Sequence, residues 1–108
     1  MNPIGHTPLF MVVEFFIVPL GKGVHFSETI AELVRIVVDS KLPHVLTAMG
    51  TIVEGDWEAV MKCIRRCHEH ALTKSQRILT TIRIDDFPGR TGRITGKVEA
   101  VQKKVELA

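Results

Sequence analysis

Leu9-Phe10-Met11-Val12-Val13-Glu14-Phe15-Phe16-Ile17-Val18-Pro19 is apolar on both of its alternating faces, interrupted only by Glu14 on the second. Strand side chains point to opposite faces in turn. One apolar face therefore asks for a core behind it, and two ask for a second covering surface. A chain of 108 residues builds one real core and has little polypeptide left for another. The second surface is expected to come from another subunit or a ligand, with Glu14 pointing at it.

Composition narrows the class. The chain reads as a single domain over residues 1–108, with residues 1–8 as an N-terminal extension. Hydrophobic residues at 45% and charged residues at 24% are ordinary for a soluble globular protein. A net charge of +2 with dispersed basic residues argues against nucleic acid as a partner. The apolar run to Leu20 is shorter than the ~20 residues a membrane helix needs, and Glu14 breaks it. Residues 1–8 carry no Lys or Arg, so the charged start of a secretory signal is missing. The expectation is a cytoplasmic protein with no membrane partner. Cys63 and Cys67, four apart on a predicted helix, make a poor disulfide and read as reduced thiols.

Beyond the first strand, Gly21-Lys22-Gly23 is a turn. Ser27 is a candidate N-cap for a helix carrying Ile30, Leu33, Val34, Val37 and Val38 on one face and ending before Pro43. His44–Met49 and Ile52–Gly55 read as a hairpin about a Gly50-Thr51 turn, pairing Met49 with Ile52 and Thr47 with Glu54. Asp56 is an N-cap candidate for a second helix with Trp57, Val60, Met61, Ile64 and Ala71 on its apolar face. Gln76–Asp86 alternates as a fourth strand. After the loop Phe87–Gly92, Ile94, Val98, Val101 and Val105 stripe a final short helix, with Thr95 as its cap. The order predicts an α+β chain on the ferredoxin-like βαββαβ plan. That plan is an antiparallel sheet with two helices on one face, here with a short C-terminal helix added.

Alternation then assigns the uncovered face. It displays Val12, Phe16, Val18, Val45, Met49, Ile52 and Leu79, with Glu14, Thr47, Glu54, Thr81, Arg83 and Asp85 among them. So much apolar surface predicts a homodimer, or a dimer of dimers forming a homotetramer, through the sheet. The charged members have two readings. In one they form an interfacial network, Arg83 pairing with Glu14, Glu54 or Asp85. In the other they line a small pocket whose three carboxylates outnumber its one guanidinium, suited to a cationic, partly aromatic ligand.

Three motifs carry a resemblance: Glu14 through Pro19-Leu20-Gly21; Met49-Gly50-Thr51-Ile52-Val53-Glu54-Gly55 before a helix; and Thr80-Thr81-Ile82-Arg83-Ile84-Asp85-Asp86 with its trailing helix. With them the chain resembles, from about Leu9 to Val105, the thiamine-binding (YkoF-like) family of small ferredoxin-like proteins. The resemblance implies non-catalytic binding of thiamine or its pyrimidine moiety, at or near a sheet-mediated subunit interface, with no cofactor required. Carried onto this sequence, the ligand-binding residues are Glu14, Phe16, Thr47, Met49, Gly50, Thr51, Glu54 and Asp85. The aminopyrimidine would need acceptors and a stacking partner, and the thiazolium a nearby negative charge.

Other constellations are weaker. Cys63, Cys67 and His68 supply too few ligands, at the wrong spacing, for a zinc site, so no metal is expected. No nucleophile stands beside an obvious base, and Ser27, Ser40 and Ser75 suit caps and turns, so no catalytic residue is assigned. Gly89-Arg90-Thr91-Gly92-Arg93 would grip a phosphate, although one glycine-rich loop is a weak signal and a solvated basic loop explains it. His25 is a weak site candidate. The competing function is an oligomeric regulatory or interaction module with no small-molecule ligand.

Overall fold

The computed structural model describes residues 10–21, 23 and 26–107. The opening stretch forms β1 (Met11–Leu20), followed by α1 (Ser27–Asp39), β2 (His44–Thr47), β3 (Gly50–Gly55), α2 (Trp57–Leu72), β4 (Arg77–Asp86) and α3 (Arg93–Leu107). The N-terminal extension, Lys22 and His25 lie outside the described residues. One sheet of order β2-β3-β1-β4 results, antiparallel at every pairing. β1 and β3 take the two central places, and β1 brings the longest run that is apolar on both faces.

The period-2 alternation of β1 is realised without a slip. Met11, Val13, Phe15, Ile17 and Pro19 are buried against the helices, while Val12, Glu14, Phe16 and Val18 face the other way. The α2 face meeting them is Val60, Cys63, Ile64, Cys67 and Ala71, spaced at three and four residues. α1 adds Leu33 and Val37. Burying each large aliphatic side chain stabilises the fold by about 1.5–3 kcal/mol. Trp57, expected in this packing, is 52% exposed because it starts α2 at the rim. The two helices cover only the middle of the sheet. Leu46, Ile82 and Ile84 point to the helix side by register yet remain exposed on the edge strands.

Local chemistry sets the element ends. Asp56 caps α2, its side chain accepting the Ala59 N–H at 2.7 Å. Ser27 is instead the first residue of α1, preceded by Phe26 with no side-chain cap. The hairpin also differs from expectation. Its pairs are Thr47↔Gly50, Leu46↔Thr51 and Val45↔Ile52, so the turn is Ala48-Met49. The Thr47 hydroxyl closes that turn, donating to the Gly50 carbonyl at 2.9 Å and accepting the Met49 N–H at 3.1 Å. Gly50 belongs to the strand, where a Cβ would sit 2.8 Å from the Phe15 carbonyl oxygen. Its conformation (φ +153°) and that close approach explain the glycine.

α3 is a full 15-residue helix, longer than the short tail expected, and Thr95 sits in its first turn and not at its cap. Its start is held from below by β3: Glu54, 2% exposed, accepts the Arg93 N–H at 3.1 Å and the Ile94 N–H at 3.4 Å. Glu54 faces away from α1 and α2, opposite Val12 in the ladder. The last helix therefore starts over the sheet face that the main helices leave open.

Candidate functional site

Between α3 and that outer face lies a groove of about 710 Å³. Its floor is apolar, from Val12, Val45 and Ile52, and Ile94 and Val98 of α3 form the wall. Glu14, Thr47, Arg83 and Asp85 from the sheet and Arg93 and Lys97 from the helix supply the polar groups. An apolar cavity with a few convergent polar side chains, in the size range of roughly 300–1,000 Å³, is the common form of a small-molecule site.

Sheet register creates the first ion pair. Glu14 and Arg83 are direct cross-strand partners, and Arg83 Nη2 donates to Glu14 Oε1 at 2.9 Å. Arg83 is 80% exposed and Glu14 25%, so the carboxylate sits within the groove while the guanidinium lies at its rim. Such a rim pair contributes little to stability, on the order of 0–1 kcal/mol. The second pair ties α3 to the sheet. Arg93 donates through Nη1 to Asp85 Oδ2 at 2.9 Å and through Nη2 to the Asp85 carbonyl at 2.7 Å. Its Nε is buried with no hydrogen-bond partner among the described residues. Phe87 supports the same guanidinium, its ring centroid 5.7 Å from Arg93 Cζ and 5.0 Å from Arg90 Cζ.

The eight residues assigned from sequence divide among three places. Glu14, Thr47 and Asp85 line the groove. Phe16, Met49, Gly50 and Thr51, again with Thr47, line a smaller hollow of about 250 Å³ between α1 and the hairpin, closed by Phe26, Ile30 and Leu33. Glu54 lines neither, because both its oxygens face the first N–H groups of α3. The expected excess of three carboxylates over one guanidinium is therefore not what the groove presents. Two carboxylates, each paired to an arginine, face Arg83, Arg93 and Lys97. Arg93, Ile94, Lys97 and Val98 were missed as site residues. Their helical spacing was visible, but no local signal says which face of the sheet a tail helix will cover.

No group of three or more His, Cys, Asp or Glu side chains able to hold a metal occurs among the described residues. Cys63 and Cys67 are free and buried. The Cys67 thiol donates to the Leu33 carbonyl at 3.6 Å, and the neighbouring Cys67 sulfur shifts the Cys63 thiol below the usual thiol range. His68 is engaged elsewhere, its Nδ1 lying 2.8 Å from the Thr80 hydroxyl. No helix among the described residues is long and apolar enough to cross a membrane.

Comparison with known proteins places this architecture. The family model described as "Thiamine-binding protein" matches residues 13–102. A UPF0045 protein of Mycobacterium bovis is 37% identical over 94 residues, covering 86% of this chain and 92% of that protein. The UPF0045 protein MJ1052 of Methanocaldococcus jannaschii is 29% identical over 91 residues. Its crystal structure superposes with a TM-score of 0.80, over 86% of this chain and 96% of that one. A Thermotoga maritima protein named for thiamine biosynthesis/salvage shares the fold, with a TM-score of 0.71 at 17% identity over 83% of this chain and 98% of its own.

Proposed function

Because the chain belongs to the thiamine-binding protein family, whose relatives here are UPF0045 proteins, we propose that it binds thiamine or a related pyrimidine in the groove between the sheet and α3. The observation that carries this reading is Glu14. Its carboxylate stands among Val12, Val45 and Ile52, and only one of its oxygens, Oε1, is engaged by Arg83 among the described residues. Oε2 is left to accept an exocyclic amino group, and the apolar floor takes the flat face of the ring. The action proposed is recognition without turnover, with no cofactor required, as the family description of a binding protein suggests.

The strand order β2-β3-β1-β4 supports a ferredoxin-like plan, with α1 and α2 as the two crossovers. Phe16, Val45 and Leu79 are 39%, 40% and 56% exposed on the outer face, and Val98 and Val101 of α3 are more than half exposed, Val98 across the groove from Val45. That patch suits a second copy of the chain, forming a homodimer or a dimer of dimers that would close the groove. The free thiols suit the reducing cytoplasm.

Calorimetry with thiamine tests the reading. Heat is expected with the wild type, and Glu14→Gln is expected to weaken binding while the assembly persists. No heat and no thermal shift with thiamine on the order of a millimolar, from folded protein, refutes it. A second reading, an interaction module without a ligand, draws on the pairing of both groove carboxylates within the chain. Light scattering decides the assembly, and a stable monomer at micromolar concentration would refute the sheet-mediated oligomer.

A further inference from the structure

Beside the ligand groove, and sharing Asp85, Arg93 and Lys97 with it, is a second hollow of about 470 Å³ that adds Phe87, Arg90 and Gly96. Over the two hollows together the carboxylates are Glu14 and Asp85, and the cations are Arg83, Arg90, Arg93 and Lys97. Glu14 is paired to Arg83 and Asp85 to Arg93. Arg90 and Lys97 form no ion pair among the described residues, so the linings of the two hollows hold two more cations than carboxylates, with Glu54 a further carboxylate buried beneath the Arg93 and Ile94 N–H groups. Three further facts point to an acceptor. Arg93 Nε is a buried donor without a partner among the described residues. The Phe87 ring lies within cation–π reach of both guanidinium groups, 5.0 Å from Arg90 Cζ and 5.7 Å from Arg93 Cζ, so both cations belong to this hollow. Gly96 faces open space, where a Cβ would meet nothing within 4 Å, so α3 leaves room one turn beyond Arg93.

We propose that the groove ends in an anion subsite made by Arg90, Arg93 and Lys97, and that the favoured ligand is a phosphate monoester of the thiamine type. The inference rests on the groove being the thiamine-type site. A phosphate monoester carries nearly two negative charges at neutral pH, which matches the unpaired excess, and its oxygens accept from forked guanidinium donors. Free thiamine ends in a neutral hydroxyl and leaves those cations without a counter-charge. The subsite therefore selects the phosphorylated form over the free alcohol.

The experiment compares thiamine, thiamine monophosphate and inorganic phosphate by calorimetry, on the wild type and on Arg90→Gln and Lys97→Gln, with circular dichroism confirming each fold. Thiamine monophosphate is expected to bind at least about tenfold more tightly than thiamine, the scale of one added hydrogen bond to a charged group. That ratio is expected to fall toward one in both variants and to shrink with added salt. Inorganic phosphate should compete with the ester. Equal affinities for ester and alcohol in the wild type, or a ratio that survives both substitutions, overturn the anion subsite while thiamine binding still stands. Absence of binding by either compound overturns the groove reading and the subsite together.

Discussion

Glu54→Gln isolates what a buried carboxylate does in this fold. In the native protein Glu54 accepts the Arg93 N–H at 3.1 Å and the Ile94 N–H at 3.4 Å, two donors that open α3 without partners inside the helix. The carboxamide keeps an acceptor for the shorter bond but turns an NH2 toward the Ile94 N–H. It also removes the negative charge from the helix N-terminus, a loss of about 0.3–1 kcal/mol. Relief of a buried charge offsets part of the damage. The net cost should fall near the upper part of the range for removing a helix cap, about 0.5–2 kcal/mol, or roughly tenfold in local opening. From Thr95 to Glu106 every residue of α3 is exposed, so in the subunit the Arg93–Asp85 bonds are the main other tie that resists that opening. A 15-residue helix without tertiary support is marginal in water. Hydrogen exchange at fixed protein concentration should show roughly tenfold faster exchange across α3. Core amides of β1 and α2 should hold their protection, and the melting temperature should hardly change. Unchanged exchange in α3 would refute the capping role. A large fall in melting temperature would refute the independence of α3 from the core.

Three further outcomes follow from the same geometry. Gly96→Ala should stabilise α3 by about 0.5–1 kcal/mol, since the added methyl has open space and alanine favours helix, read as slower exchange in that helix. Gly50→Ala should destabilise the whole domain by about 1–3 kcal/mol, because its Cβ would meet the Phe15 carbonyl at 2.8 Å, and denaturant unfolding measures it. Glu32, hydrogen-bonded at 2.8 Å by His70, has its carboxyl held below the ordinary 4.5 chiefly by that bond, with Lys74 adding attraction. A carboxyl lowered on folding contributes stability above its unfolded value, and the contribution disappears as pH falls through the folded one. The melting difference between wild type and Glu32→Gln should therefore be present near neutrality and vanish well below pH 4.5. A difference that persists there would show that the tie between α1 and α2 does not depend on ionised Glu32.

What could be read along the chain was periodic or local. Alternation in Leu9–Pro19 identifies a strand with two apolar faces, and the same strand lies second from one edge of the sheet with Met11, Val13, Phe15 and Ile17 buried. The Asp56 cap needs only its own turn, so three residues sufficed to see it. Glu14 and Arg83 are 69 residues apart, yet strand parity put them on one face, and the ladder makes them direct partners. The hairpin register departs from the expectation of a Gly50-Thr51 turn, which rests on glycine's preference for turns. The absent side chain of Gly50 actually serves the close approach of β1, a contact made 35 residues away in sequence.

The sequence by itself determined the element order, the two-sided β1 and the outward row that carries Glu14, Thr47, Arg83 and Asp85, because each rests on side-chain period within one element. The tertiary structure alone decided that α3 starts beside that row, that Glu54 caps it from beneath, and that Arg93 and Lys97 reverse the charge expected of the groove. Where a helix docks depends on donors and carboxylates some 40 residues apart meeting in space, and no repeat along the chain encodes that distance.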